Sequence, residues 1–199
     1  KNFEADLDEL NKFYQDEGYR DFTILSDTVY YDSKEKGLVV KIDLDEGNKY
    51  KFRNFTWEGN SLYETDVLDQ TLNLKIGDGY SKSIFDEAVY QNVQSLYMDR
   101  GYLYSSIEPS FTPIGDDSLD VHFSVTENNQ VYIRNINIYG NDKTRENVIR
   151  RELDVFPGDL FRRTLMMRSM QKLHVLNYFD PTSLSPNVVP VDEDEIDLD

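Results

Sequence analysis

The sequence predicts an α+β repeat array, each copy a β-α-α-β-β module in which a three-stranded mixed sheet packs on two helices. Three observations predict it. The stretch from Glu46 to Phe55 recurs in residue type from Glu127 to Ile136, 81 positions further on. The same spacing carries Gly59-Asn60 onto Gly140-Asn141, Val67-Leu68 onto Val148-Ile149 and Gly77 onto Gly158. A second register, of 83 positions, carries Tyr14-Gln15-Asp16-Glu17-Gly18-Tyr19 onto Tyr97-Met98-Asp99-Arg100-Gly101-Tyr102. Self-similarity at a fixed period marks stacked supersecondary units. It gives three copies, at residues 1–50, 51–130 and 131–199, of which the first and last are incomplete.

The middle copy opens with a strand. Arg53, Phe55 and Trp57 alternate with Phe52, Asn54 and Thr56, and Gly59-Asn60 closes the run. Ser61-Leu62-Tyr63-Glu64 has the spacing of a capping box, in which hydroxyl and carboxylate satisfy free amides, and predicts a short helix to about Leu74. Gly77-Asp78-Gly79 breaks that helix. Ser81 or Ser83 can then cap a longer one with Phe85, Val89, Val93 and Leu96 along one side, ended by Gly101. Tyr102 to Phe111 is rich in strand formers, Pro113 to Asp117 reads as a turn, and Leu119, Val121, Phe123 and Val125 alternate strictly.

The first copy supplies the matching long helix, with Phe3, Leu7, Leu10 and Tyr14 on one side, then strands near Tyr19–Tyr30 and Leu38–Leu44. The last copy places its first helix near Thr144–Leu153. Its second helix is shorter, ending at Asn177, the next best residue after Gly for a left-handed helix end. Strands near Pro181–Val191 and at Ile196 and Leu198 follow. With no initiator Met, and with elements cut at both ends, the chain reads as an excised piece.

Composition narrows the partners. Lys+Arg number 21 against Asp+Glu 38, a formal charge of -17, which is the wrong field for a phosphate backbone, so no nucleic acid is expected. No run approaches the roughly 18 apolar residues of a spanning helix. With Cys 0, neither a disulfide framework nor a thiolate zinc site is available. His122 and His174 have no further His or Cys at ligand spacing, so no metal is expected, and nothing suggests a cofactor. The acidic end from Asp192 to Asp199 reads as a solvated hairpin. No carboxylate pair stands out for acid and base work, so an enzyme is the reading from another class that the sequence supports least.

The order of strand, two helices and two strands, with Gly-Asn after the first strand, resembles the polypeptide-transport-associated (POTRA) repeat of BamA-type outer-membrane assembly factors. The last copy is similar to the last repeat of that family in Tyr132-Ile133-Arg134, Gly140-Asn141-Asp142 and Arg150-Arg151-Glu152, and Leu176-Asn177-Tyr178-Phe179 resembles its Leu-Gly-Phe-Phe ending. The resemblance implies part of the third repeat, the fourth, and most of the fifth. It implies a periplasmic location, a C-terminal membrane barrel in the parent chain, and unfolded outer-membrane β-barrel proteins as clients. A related secretion or translocation pore is the alternative within the superfamily.

An edge strand offers unpaired amides and carbonyls to an extended peptide. The resemblance implies that the second strand of each copy is that edge: Tyr19–Thr28, Thr182–Val188 and, in the middle copy, Tyr102–Glu108, where Tyr102, Leu103, Tyr104, Ser105, Ser106 and Ile107 are the candidate client-binding residues; the alternative is an edge blunted by charge or proline, since Glu108-Pro109 interrupts one of them. The last repeat of the family contacts a lipoprotein subunit of the assembly complex, which carries over to Arg150, Arg151 and Glu152. A guanidinium fork there would suit a carboxylate, although the same residues could make local ion pairs on a solvated helix. Glu127-Asn128-Asn129 passes into the next strand with no Pro- or Ser-rich linker, so a semi-rigid junction is expected.

Overall fold

A computed structural model describes residues 3–34, 36–180 and 184–199. In chain order the elements are α1 (Phe3–Asp16), β1 (Thr23–Asp32), β2 (Gly37–Asp45), β3 (Lys51–Glu58), α2 (Thr65–Leu72), α3 (Lys82–Asp86), a π-helical stretch (Glu87–Val93), α4 (Gln94–Met98), β4 (Ser106–Ile114), β5 (Ser118–Thr126), β6 (Tyr132–Ile136), α5 (Glu146–Arg150), α6 (Arg163–Val175), β7 (Val188–Pro190) and β8 (Glu195–Leu198). They form three sheets, β1-β2, β3-β5-β4 and β6-β8-β7. The first and third strands of a copy pair in parallel, β3 with β5 and β6 with β8. The chain divides into two compact units, Lys1–Glu58, Thr65–Val89 and Glu108–Ser124 in one, and Gly59–Glu64, Tyr90–Ile107 and Val125–Asp199 in the other.

In the first unit, β1 and β2 form an antiparallel hairpin with a bulge between Ile24 and Ser26. The predicted alternation along β3 is interrupted at Arg53. Phe52 pairs with Leu119 and Asn54 with Asp120, which leaves Arg53 as an extra residue. A bulge reverses the faces that follow it, so Phe52 shares the inner side with Phe55 and Trp57 instead of opposing them. Phe52 stacks on Phe85, and Phe55 and Trp57 both stack on Phe123. The Trp57 indole N–H donates to Asp69 of α2 at 2.8 Å.

In the second unit, β6 repeats that bulge, with Ile133 opposite Ile196, Asn135 opposite Asp197 and Arg134 extra. Val131, Ile133, Ile149, Leu153, Phe161, Leu173, Ile196 and Leu198 are core. Asp154 ties α6 down by accepting from Arg168 and Lys172, each at 2.6 Å, while its own N–H donates to the buried Ser169 hydroxyl at 2.8 Å. Those two cations hold the Asp154 carboxyl below its ordinary value. Strand β7 runs antiparallel to β8, but the acidic end is not a solvated hairpin throughout: only Asp192–Glu195 is exposed, and β8 is the central strand of its sheet with Ile196 and Leu198 buried.

Several expected boundaries move. Ser61-Glu64 is not a capping box. Helix α2 begins at Thr65, because Ser61 is taken by Glu127, which accepts from the Ser61 hydroxyl and, at 2.8 Å, from the Leu62 N–H. Asn73, at φ 55°, ends α2 before Leu74. The first helix of the last copy is confined to Glu146–Arg150. The π-helical stretch widens the long helix, so its buried positions fall at Phe85, Val89, Val93 and Tyr97, four apart, with Leu96 displaced from the stripe. Regular α geometry would rotate that stripe by about 40° at each step. The matching α6 is one unbroken α-helix of 13 residues, and Asn177 ends it at φ 53°.

The Gly-Asn pairs act locally. Gly59 and Gly140 stand at φ 79° and 74°, and the following Asn side chains close the turn, Asn60 donating to the Tyr63 carbonyl at 2.9 Å and Asn141 to that of Thr144 at 3.1 Å.

Candidate binding edges and partner site

The middle sheet is open along β4, as the edge reading requires, but the strand starts later than expected. Tyr102, Leu103, Tyr104 and Ser105 are not strand; they form the turn that follows the long helix. Their backbone is already occupied. Tyr102 N–H donates to Tyr97 O, Leu103 N–H to Gly101 O and Ser105 N–H to Tyr102 O. The Tyr104 carbonyl accepts from Asn128 at 2.7 Å and that of Ser105 from Gln94 at 3.0 Å. These four residues thus form a turn, not a strand edge. Of the six expected residues only Ser106 and Ile107 lie in β4, and Ile107 is buried.

Strand β4 runs through Pro109 and Pro113 to Ile114, so the expected turn shrinks to Gly115–Asp117. Proline has no N–H, and a sheet tolerates it where that side of the strand faces out. Pro109 and Pro113 share parity with Ile107 and Phe111, so this set faces the open edge, and every second donor on it is missing. Strand β1, at the matching place in the first copy, carries Ser26 and Tyr30 where β4 carries Pro109 and Pro113. Its ten residues keep every N–H, and Val29, Tyr30 and Tyr31 are exposed. The Thr182–Val188 expectation begins outside the described residues; the described strand β7 is three residues long and ends in Pro190.

The charged triplet lies at the end of α5. Arg150 is committed internally: Nε donates to Glu146 one turn earlier at 2.6 Å, and Nη2 to the Ile136 carbonyl at the end of β6 at 2.9 Å. The Glu-to-Arg order along a helix is the favourable one. Among the described residues Arg151 reaches its neighbour Glu152, at 3.1 Å, and it is the more exposed of the two arginines.

An apolar cavity of about 490 Å³ lies in the last copy, lined by Ile138, Ile149, Leu153, Met170, Leu173 and Phe179. By register, Ile138 matches Trp57, the residue on which Phe123 stacks in the middle copy. The cavity is thus core space of the repeat.

Sequence reasoning missed the carboxylates at the ends of the long helices. Asp16 accepts from Ser81 and Ser83, and Asp99 from Thr164. Partial desolvation pushes the Asp16 carboxyl up, and the Ser83 N–H and hydroxyl, the Ser81 hydroxyl and the Lys12 charge outweigh it, for a net lowering. The recurrence of Asp at one place in a repeated hexapeptide was the available signal.

Comparison with known proteins agrees with this architecture. The BamA outer-membrane protein assembly factor of Neisseria meningitidis serogroup B is 27% identical over 201 residues, covering 100% of this chain and 25% of that protein. A putative outer membrane protein assembly factor of Treponema pallidum is also 27% identical, over 97% of this chain and 23% of its own length. The chain thus spans about a quarter of the curated relatives it matches. The crystal structure of Haemophilus influenzae BamA POTRA3-5 shares the fold with a TM-score of 0.86 at 20% identity, over 100% of this chain and 78% of that one. BamA of Haemophilus ducreyi lacking POTRA domains 1-3 matches 75% of this chain and 28% of its own, with a TM-score of 0.59 at 20% identity. The sequence profile described as "POTRA: Surface antigen variable number repeat" matches residues 50–128 and again 131–199, and the chain belongs to the POTRA family.

Proposed function

We propose that this chain is a periplasmic scaffold and client-binding segment of the machinery that folds and inserts β-barrel proteins into the bacterial outer membrane, and that it has no catalytic role. Residues 1–50 are the C-terminal part of a third repeat, 51–130 a fourth and 131–199 most of a fifth. Likeness in fold to a three-repeat BamA segment over the whole chain supports that reading. In the parent chain a membrane barrel follows, and lipoprotein subunits of the assembly complex bind the last repeat.

The observation that carries client binding is the open edge of β1, which is ten residues long and free of proline. Backbone pairing there is indifferent to client sequence, which suits a protein that receives many unfolded strands. Edge β4, with half its outward donors removed, is the weaker acceptor.

Chemical-shift mapping with a peptide from a barrel strand tests this. Shifts along Thr23–Asp32 with smaller ones along β4 are expected; a peptide that perturbs no second strand sinks the augmentation reading. For the lipoprotein contact, Arg151→Glu should abolish capture of the subunit in a pull-down and leave the melting curve in place. Undiminished capture removes Arg151 from the interface. Arg150→Glu is the poorer test, because it also frees Glu146 and the Ile136 carbonyl.

A further inference from the structure

The hexapeptide that occurs twice, Tyr-x-Asp-x-Gly-Tyr, joins copies as well as ending helices. Asp16 is the last residue of α1, and its Oδ1 accepts from the Ser83 N–H at 2.7 Å and from the Ser81 hydroxyl at 3.1 Å, while Oδ2 accepts from the Ser83 hydroxyl at 2.7 Å. Ser83 is the second residue of α3, in the next copy. Asp99 repeats the arrangement 83 positions later, accepting from the Thr164 N–H at 2.7 Å and from the Thr164 hydroxyl. Thr164 is the second residue of α6, again in the next copy, so a hydroxyl residue recurs at this place as the aspartate does.

First-turn amides have no partner within their own helix, and a carboxylate beside them also meets the positive end of the helix dipole. Helix α6 has no cap of its own, for Arg162 makes no side-chain bond to it. Its capping side chain comes from the copy before. A backbone bond lies beside each carboxylate: Tyr50 N–H donates to Gly18 O at 3.0 Å, and Val131 N–H to Gly101 O at 2.9 Å. Each pair of residues lies within one compact unit. The packing that defines those units therefore runs across each junction.

The last copy breaks the pattern. Its helix end, Asn177, matches Gly101, which puts Val175 where Asp99 stands and Leu173 where Tyr97 stands. Val175 is 79% exposed and Tyr178, after the turn, 64%. The position of the aspartate therefore carries an exposed apolar side chain.

We infer that the aspartate of this hexapeptide is an inter-copy latch: it recognises a hydroxyl residue at the second position of the next copy's long helix and fixes the orientation of that helix. The last copy has Val175 at the place of the aspartate.

These 199 residues contain no cysteine, so paired spin labels can be placed freely in them. Labels at the exposed positions Asn92 and Lys143 report on the second junction, and labels at Glu9 and Lys75 on the first. Asp99→Ala should widen the Asn92–Lys143 distance distribution at least about two-fold, as expected when a local contact is released, and leave the Glu9–Lys75 distribution unchanged. Asp99→Asn, which keeps an acceptor oxygen, should stay near the parent width. If Asp99→Ala does not fold, Thr164→Val keeps the side-chain shape without the hydroxyl and should also widen the second distribution. A width unchanged in the folded variant overturns the inference, and so does equal widening at both junctions, which would mean general loosening.

Discussion

Arg134 stands at the bulge of β6 and lays its guanidinium fork on Asp197 of β8, Nε donating to Oδ1 at 3.0 Å and Nη2 to Oδ2 at 2.6 Å. Arg53 and Asp120 make the same pair between β3 and β5. In both copies the residue expelled from the ladder by the bulge is the one that clamps the parallel partner strand, so a backbone irregularity and an ion pair act together to fix register.

Acid should release that clamp. Hydrogen bonds from Arg53 and Arg134 are the main cause that lowers the carboxyls of Asp120 and Asp197, against a smaller opposing effect of desolvation. A carboxyl whose folded value lies below its unfolded value of about 3.9 contributes stability above that value and loses it as pH falls through the folded one. Melting temperature should therefore drop steeply below about pH 4. In Asp120→Asn/Asp197→Asn the drop should be shallower; an identical slope in parent and variant would show that other groups govern acid sensitivity.

Phe123 is fully buried and stacks with Phe55, Trp57 and Phe85. Phe123→Ala should cost about 3–5 kcal/mol, the transfer loss plus the cavity left between sheet and helix. Urea titration followed by the fluorescence of Trp57, the one tryptophan, reads this directly.

The two Gly-Asn turns should differ in tolerance. At Gly59 an added Cβ would lie 2.1 Å from the Val125 carbonyl oxygen, whereas at Gly140 nothing lies within 4 Å. Gly140→Ala should lose only the left-handed backbone penalty, about 1–2 kcal/mol. Gly59→Ala should lose more, because backbone must move as well. Equal losses in a denaturant titration would refute the difference.

Restoring donors to β4 should strengthen it as an acceptor. Pro109→Ala and Pro113→Ala return two outward N–H groups, and either raised affinity for a barrel-strand peptide or self-association by edge pairing is expected. Sedimentation velocity distinguishes the two, and no change in either would mean that the prolines do not guard the edge.

Much of the fold was legible because its signals are local. Gly101 and Asn177 mark helix ends through the backbone conformation they tolerate, and Ser81 caps α3 from its own chain neighbourhood, accepting from the Ile84 N–H at 3.5 Å. The candidate site was less legible. Tyr102–Ser105 has strand-forming composition, but the amides of Tyr102, Leu103 and Ser105 bond within the helix end and its turn. Ser61 carries a capping spacing, yet Glu127, 66 positions away, binds it first. Arg150 looked free for a partner and is held by Glu146 and a sheet carbonyl.

The sequence by itself determined the repeat, the class and order of the elements, and the family, because period, glycine positions and alternating apolar residues are properties of neighbouring residues. Tertiary structure decided where the strands bulge, which carboxylate each bulged arginine clamps, and how Asp16 and Asp99 reach the next copy. Those depend on partners more than 60 residues away in the chain. A hydrogen bond of that kind is won in competition between groups whose proximity only the folded chain creates.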